Sequence, residues 1–404
     1  MSGRKLVKEV FRNIIELIIG YPFLFLSFLI PRSRRVWVFG SHIGFNGNSK
    51  ELLLYARENN LDIIPVWISP TMSEAREIRR LGFAAYFRWS IKGIYYCLRA
   101  KFYFYNFRLS DINYWTSGRA VVINLWHGFI IKEIEFLQKK GFMKIVFNNW
   151  NIIFRFFAPY IYRKPDYAIS TTPDISRFFE KAFRIEENQC LPFGTSRTDN
   201  LFKDKGELIK IAQKYAPDTA SLIEETRHYK STYIYMPTWR DNSCDFVSDA
   251  NFDFRKLDRE MSKRDCLFIF KPHPFTTLKK EIFSELKNIK MINGNIDMYY
   301  FLPFTDILIT DYSSVYNEYL LINNKKLLLF PFDLEEYTKT CRNFIFPYDT
   351  FMPGKRVYTF GDLLSAIENE DFSSSEDLAE TRKYFWGNYS GDASRKICDF
   401  VCGL

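Results

Sequence analysis

The sequence predicts an α/β protein with two doubly wound domains whose strands end at a shared cleft. Short apolar runs alternate with amphipathic helical stretches along most of the 404 residues. That alternation belongs to parallel strands covered by helices on both faces. The strands come in two series, separated by a polar helical stretch at 203–230. Four polar clusters each follow a strand directly, at the carboxyl ends where open α/β sheets bind ligands.

The first series reads as strands at 36–40, 63–68, 84–87, 101–105, 120–125 and 167–170, with helices at 49–58 and 74–81. The second reads as strands at 233–236, 266–270, 307–309 and 327–330, followed by helix over 375–404. The expected organisation is a basic and apolar segment 1–35, an α/β domain 36–205, a second α/β domain 206–374 and a helical segment 375–404.

The N-terminal segment is apolar from 14 to 30 and basic on both sides, with Arg4, Lys5, Lys8 and Arg12 before it and Arg32, Arg34 and Arg35 after it. Glu16, Gly20 and Pro22 interrupt it, and a spanning helix wants about 20 apolar residues without a charge. The preferred expectation is a segment lying in the membrane interface; a true span is the alternative. No small-residue cleavage site marks a signal peptide. Residues 141–164 break the α/β rhythm with Phe142, Phe147, Trp150, Phe154, Phe156, Phe157, Tyr160 and Tyr162 among basic residues. That stretch reads equally as buried packing or as a second membrane-contacting surface.

The net charge of +9 and the 41 Phe and 25 Tyr point to an anionic membrane or a nucleic acid. The chain has no RNP-type motif, zinc-finger spacing or Lys/Arg tract, which argues against nucleic acid. Its seven cysteines are scattered without a Cys-x-x-Cys pair, so reduced thiols in a cytoplasmic compartment are expected and no metal set is recognisable.

The first polar cluster is Trp126-His127-Gly128. A lone histidine is more often structural, but Gly128 admits a close ligand and an imidazole titrates near neutral pH, as a general base must. The second, Pro237-Thr238-Trp239-Arg240, places a guanidinium suited to phosphate at a strand end; the bland alternative is a surface ion pair. The third, Lys271-Pro272-His273-Pro274, presents His273 on a loop stiffened by prolines. The fourth, Thr310-Asp311-Tyr312-Ser313-Ser314, reads as strand, tight turn and helix start. It suits a phosphate or pyrophosphate, or else is serine capping of an ordinary βα unit.

With Gly194, Arg197 and Asp199, these motifs in this order resemble the CDP-glycerol glycerophosphotransferase family, the teichoic-acid primases and polymerases. Asp333-Leu334-Glu335-Glu336-Tyr337, Pro353-Gly354 and Gly391-Asp392-Ala393-Ser394 are also family-like, and the resemblance covers roughly residues 36–400. It implies a GT-B-like fold with an acceptor-side first domain and a nucleotide-donor second domain. It also implies monotopic association with the cytoplasmic membrane face, and transfer of polyol phosphate from CDP-glycerol, or sometimes CDP-ribitol, to a hydroxyl with release of CMP. The family often continues Trp-His-Gly with Thr-Pro-Leu-Lys, where this chain has Phe129-Ile130-Ile131-Lys132. Asn343 stands where the family often has Gly. These departures bear on the acceptor and the polyol more than on the chemistry.

On this reading His127 is the general base, and His273 neutralises pyrophosphate or protonates the departing CMP. Ser313, Ser314, Arg240 and Thr238 hold the diphosphate, while Arg197 and Asp311 organise the site. No tightly bound cofactor is called for. No Asp-x-Asp pair of the kind that grips nucleotide-bound Mg²⁺ is present, leaving dependence on Mg²⁺ open. Partners would be CDP-glycerol, a lipid-linked or polymeric glycan acceptor of teichoic-acid or capsule type, and an anionic membrane surface. A GT-B glycosyltransferase using a nucleotide sugar, or a catalytically silent membrane scaffold, are the competing readings.

Overall fold

The computed structural model describes residues 3–59, 61–140, 143–148, 150–238, 240, 250–272, 280–292, 294, 296–340 and 343–404. Strands β1 (Ser33–Gly40), β2 (Ile64–Ser69), β3 (Ala85–Phe87), β4 (Ala100–Tyr105), β5 (Val121–Asn124), β6 (Tyr167–Ile169) and β7 (Cys190–Leu191) form one sheet. Its order is β3-β2-β1-β4-β5-β6-β7, and every pairing is parallel. Val38, Val66, Ile68, Tyr103 and Val122 are buried in its core. These strands read as continuous apolar runs because helices cover both faces.

The second sheet repeats the plan with β8 (Ser231–Met236), β9 (Cys266–Phe270), β10 (Ile289–Met291), β11 (Ile307–Thr310), β12 (Lys326–Leu329) and β13 (Ser373–Ser374). Its order is β10-β9-β8-β11-β12-β13, with only the edge strand β13 antiparallel. Aromatic residues fill its core, among them Tyr235, Phe252, Phe254, Phe268, Phe270 and Phe330. In each sheet the strand order reverses beside the first strand, between β1 and β4 and between β8 and β11. Loops diverge at such a switch point and leave a crevice at the strand ends.

Two units result. One comprises Met1–His127, Glu135–Arg197 and Asp392–Leu404; the other comprises Gly128–Ile134 and Thr198–Gly391. One division falls after Arg197, where the sequence reading sets a boundary near 205. The expected helical segment 375–404 contains helices Ala379–Trp386 and Ala393–Gly403, one in each unit. Gly387 (φ 57°) and Gly391 (φ 82°) break it. At Gly391 a Cβ would stand 2.8 Å from Phe202, so a larger residue does not fit.

Residues 128–134 are a short excursion into the second unit. Lys132 bridges antiparallel to Phe344. Ile345 N–H donates to Ile131 O at 3.0 Å and Glu133 N–H to Asn343 O at 3.1 Å. Phe129 packs edge-on against Phe385. The two departures from the family pattern, Phe129-Ile130-Ile131 and Asn343, therefore lie on the two sides of one small bridge.

Helix α1 (Gly3–Leu29) contains Pro22. Among the described residues no helix is long and apolar enough to cross a membrane. The helix packs closely on the first unit at Gly20, where a Cβ would come within 2.3 Å of the Trp115 ring. Elsewhere it leaves Ile18, Phe25 and Leu29 exposed. The aromatic stretch 141–164 divides between the two expectations: Val146 and Phe147 are buried, while Trp150, Ile152, Ile153, Phe156 and Phe157 are exposed.

Candidate active site

In the first unit, His127 stands just past the end of β5, half-buried. Its peptide is held from several directions. Asn48, near the start of helix α2 (Gly47–Glu58), donates through Nδ2 to Leu125 O at 3.0 Å and to Trp126 O at 2.8 Å. The Asn48 Oδ1 accepts Arg197 N–H at 3.0 Å. Arg197, itself buried, donates from Nη1 to His127 O at 2.7 Å. Trp126 adopts a left-handed conformation, φ 56°, which is strained for a bulky residue. Four side-chain hydrogen bonds over-determine that turn, the fourth from Trp126 N–H to Asn124 Oδ1 at 2.8 Å.

The His127 ring lies against Trp126, Phe107 and His42, with centroids 4.2, 5.1 and 5.8 Å away. Its Nδ1 faces Asn106 O at 3.4 Å. A proton on Nδ1 is the tautomer that a general base acting through Nε2 needs. Asp111 lies beyond His42, with Oδ2 3.9 Å from the His42 Nδ1. Burial pushes the Asp111 carboxyl up to about 7, against the opposing pull of backbone N–H groups. Burial and then Arg108 lower the His42 pKa.

In the second unit, the loops after β8 and β11 meet in one buried network. Asp311, wholly buried, accepts Thr238 N–H at 2.9 Å, Thr238 Oγ1–H at 2.7 Å and Arg240 Nη1–H at 2.7 Å. Arg240 also clasps Asp333 through Nε at 2.9 Å and Nη2 at 2.7 Å, and Tyr312 OH donates to Asp333 at 2.7 Å. Burial alone would lower the Arg240 pKa; Asp311 and Asp333 outweigh it and raise it.

This geometry bears on the direct role expected of Arg240. Nε, Nη1 and Nη2 are all engaged within the protein, and two carboxylates already outweigh the one guanidinium. These contacts tie Arg240 to the residues after β8 and β11. Nor is it the surface ion pair of the bland alternative, since only 5% of the residue is exposed.

Ser313 and Ser314 follow, half-buried, just before the helix Val315–Tyr319. Ser314 makes no side-chain cap bond, so capping does not explain it. Five residues make little more than one turn of helix, and the expected contribution of a helix dipole is correspondingly small. Lys132 supplies a cation nearby, with Nζ 5.2 Å from the Tyr312 ring and 4.9 Å from that of Tyr337. Lys271 is half-buried after β9, and burial lowers its pKa. His273 lies outside the described residues, as does Trp239. No cluster of three or more His, Cys, Asp or Glu suited to a metal occurs among the described residues.

Sequence reasoning missed Asn48, His42, Asn106 and Asp111, and gave Asp333 no role. Asn48 carried a usable signal, following Gly44 and Gly47 in the loop after the first strand, where the first βα turn of a doubly wound sheet commonly serves a site.

Residues 23–403 match the family described as CDP-Glycerol:Poly(glycerophosphate) glycerophosphotransferase. The teichoic acid ribitol-phosphate polymerase TarL of Staphylococcus aureus is 32% identical over 226 residues, 54% of this chain and 38% of that protein. The chain thus spans well under half the length of this polymerase. The teichoic acid glycerol-phosphate transferase of the same organism is 24% identical over 98% of this chain and 100% of its own length. The solved structure of the wall teichoic acid polymerase TagF superposes with a TM-score of 0.73 at 19% identity, covering 100% of this chain and 98% of that one. The two parallel sheets are therefore GT-B-like in fold.

Proposed function

Since the chain belongs to the CDP-glycerol:poly(glycerophosphate) glycerophosphotransferase family, we propose that it transfers glycerol phosphate from CDP-glycerol to a hydroxyl of a lipid-linked or polymeric cell-envelope glycan. The acceptor oxygen forms a bond to the phosphorus bearing the glycerol. The bond from that phosphorus to the CMP oxygen breaks, the acceptor proton passes to His127 Nε2, and CMP leaves. Such a reaction needs positioning and charge neutralisation more than covalent help.

The observation that carries this reading is the over-determined turn at Trp126-His127, which fixes the imidazole and turns its Nδ1 toward a carbonyl. Ser313 and Ser314 hold the diphosphate, with Lys132 near them. Thr238 is engaged by Asp311 and, with Arg240 and Asp311, shapes the loops. His273 is retained as the group that neutralises or protonates departing CMP.

CDP-ribitol is the second reading, supported by the 32% identity to the ribitol-phosphate polymerase. The exposed apolar residues of α1 and of the helix Ile152–Phe157 favour a peripheral position on the cytoplasmic face of the membrane. The deciding assay is CMP release from each CDP-polyol with a lipid-linked glycan acceptor, beside His127→Ala. Acceptor-dependent CMP from one donor identifies the polyol. Release of a nucleoside diphosphate from a nucleotide sugar would replace the reading with sugar transfer.

A further inference from the structure

A cavity of about 180 Å³ lies against α1 in the first unit, lined by Glu16, Leu17, Arg88, Ser110, Trp115 and Phe157 among others. Arg88 is its anomaly. The guanidinium Nε is shielded from solvent with no hydrogen-bond partner, and among the described residues Arg88 forms no ion pair. Burial lowers its pKa, with Glu16 the first of the charges opposing that shift. A guanidinium keeps its proton near neutral pH, so desolvating the Arg88 Nε–H without a partner is costly unless an anion supplies one.

Glu16 is itself committed to the Trp115 Nε1–H, at 3.4 Å. The cavity therefore offers a cation and a carboxylate that do not pair with each other. A bare phosphate would meet Arg88 but be repelled by Glu16. A phosphate carrying a small hydrogen-bond donor, a hydroxyl or an ammonium, complements both. The surroundings narrow the class further. Leu17 and Phe157 line the cavity, and Phe157 is 56% exposed. Tyr21 ties α1 to the helix Ile152–Phe157 by donating to Phe156 O at 2.8 Å, and Ile18 and Ile153 are 68% and 69% exposed.

We propose that this cavity binds the headgroup of a glycerophospholipid: the phosphate on Arg88, a headgroup hydroxyl or ammonium donating to Glu16, and the acyl chains along the exposed apolar residues of α1 and of the helix Ile152–Phe157. The inference rests on the membrane-surface reading of α1 and is independent of the catalytic one.

The test titrates the full chain with dihexanoyl-phosphatidylglycerol below its micelle concentration, by calorimetry. Dihexanoyl-phosphatidylcholine, whose headgroup has no donor, and inorganic phosphate serve as comparisons. The expected result is saturable binding of the glycerol lipid, at least tenfold tighter than either comparison. Arg88→Gln should weaken it at least tenfold while CMP release in detergent is unchanged. If that variant melts early, Arg88→Lys, which keeps the charge and loses the fork, should still weaken binding severalfold. Equal binding of inorganic phosphate, equal affinity in both variants, or no saturable binding would overturn the headgroup site. Cosedimentation with phosphatidylglycerol vesicles separates the two layers of the argument. Vesicle binding without short-chain binding overturns only the cavity, whereas no vesicle binding removes the membrane reading and this inference with it.

Discussion

The two units hold a buried carboxylate at their sheet switch points by different means. In the first, Asp111 is 2% exposed and among the described residues pairs with no Lys or Arg. Its Oδ2 accepts N–H from Asn106 at 3.2 Å and from Phe107 at 2.8 Å. In the second, Asp311 and Asp333 share one buried Arg240. Backbone N–H groups are fixed dipoles and leave the carboxyl able to titrate near neutral pH. A guanidinium is a permanent charge and locks its partners. The first arrangement suits a region that handles a proton; the second suits one that must keep a loop shape whatever it binds.

If that contrast is right, the largest single effect falls in the first unit. His127→Ala should lower turnover by about 10²–10⁴-fold, with CDP-polyol binding retained in calorimetry. Near-normal turnover would remove the proposed base. Next in size is the lock of the second unit. Arg240→Leu leaves two carboxylates facing each other without their cation, and breaking a buried pair this way costs about 3–5 kcal/mol. Denaturant unfolding reads it directly. A variant as stable as the parent, with only donor affinity lost, would restore Arg240 as a ligand. Asn48→Ala should come third. Losing its bonds to Leu125, Trp126 and Arg197 leaves buried polar groups unpaired, at about 1–3 kcal/mol. Turnover should fall more than donor KM rises, because the turn carrying His127 loosens. A smaller effect is expected for Ser313→Ala or Ser314→Ala, which should each raise donor KM about tenfold, the size of one hydrogen bond to a charged group, without altering stability. Unchanged KM in both would place the diphosphate elsewhere.

The same contrast explains what the sequence disclosed. Strand-end motifs such as Trp126-His127-Gly128 and Thr310-Asp311 announce themselves, because a continuous apolar run stops at a polar residue. Partners across the fold do not. Nothing local to Asn48 says that it will grip residues 125 and 126, and nothing local to Arg240 says that Asp333 will claim it; both contacts follow from strand order. The short strands β7 and β13 escaped notice because two residues carry no periodicity. The break within 375–404 was legible in Gly387 and Gly391, which a helical pattern read by hydrophobicity alone passes over.

The smallest expected effect is a slope. Burial raises the Asp111 carboxyl from 3.8 to about 7, so the folded chain holds that proton more tightly than the unfolded chain does. Between about pH 4 and 7 the folded state binds more protons at this position, and stability must fall as pH rises through that window. This is the reverse of a salt-bridged carboxylate, whose contribution is lost as pH falls. Asp111→Asn keeps an acceptor for the Phe107 N–H and removes the titration. Urea unfolding at a series of pH values should therefore show the parent losing stability relative to the variant between pH 4 and 7. The gap should stop widening above the folded pKa. Parallel curves would mean that His42 and Arg88 hold Asp111 ionised in the folded state. The first unit would then keep its carboxylate as the second does, by charge, and the proposed difference between the two would fail.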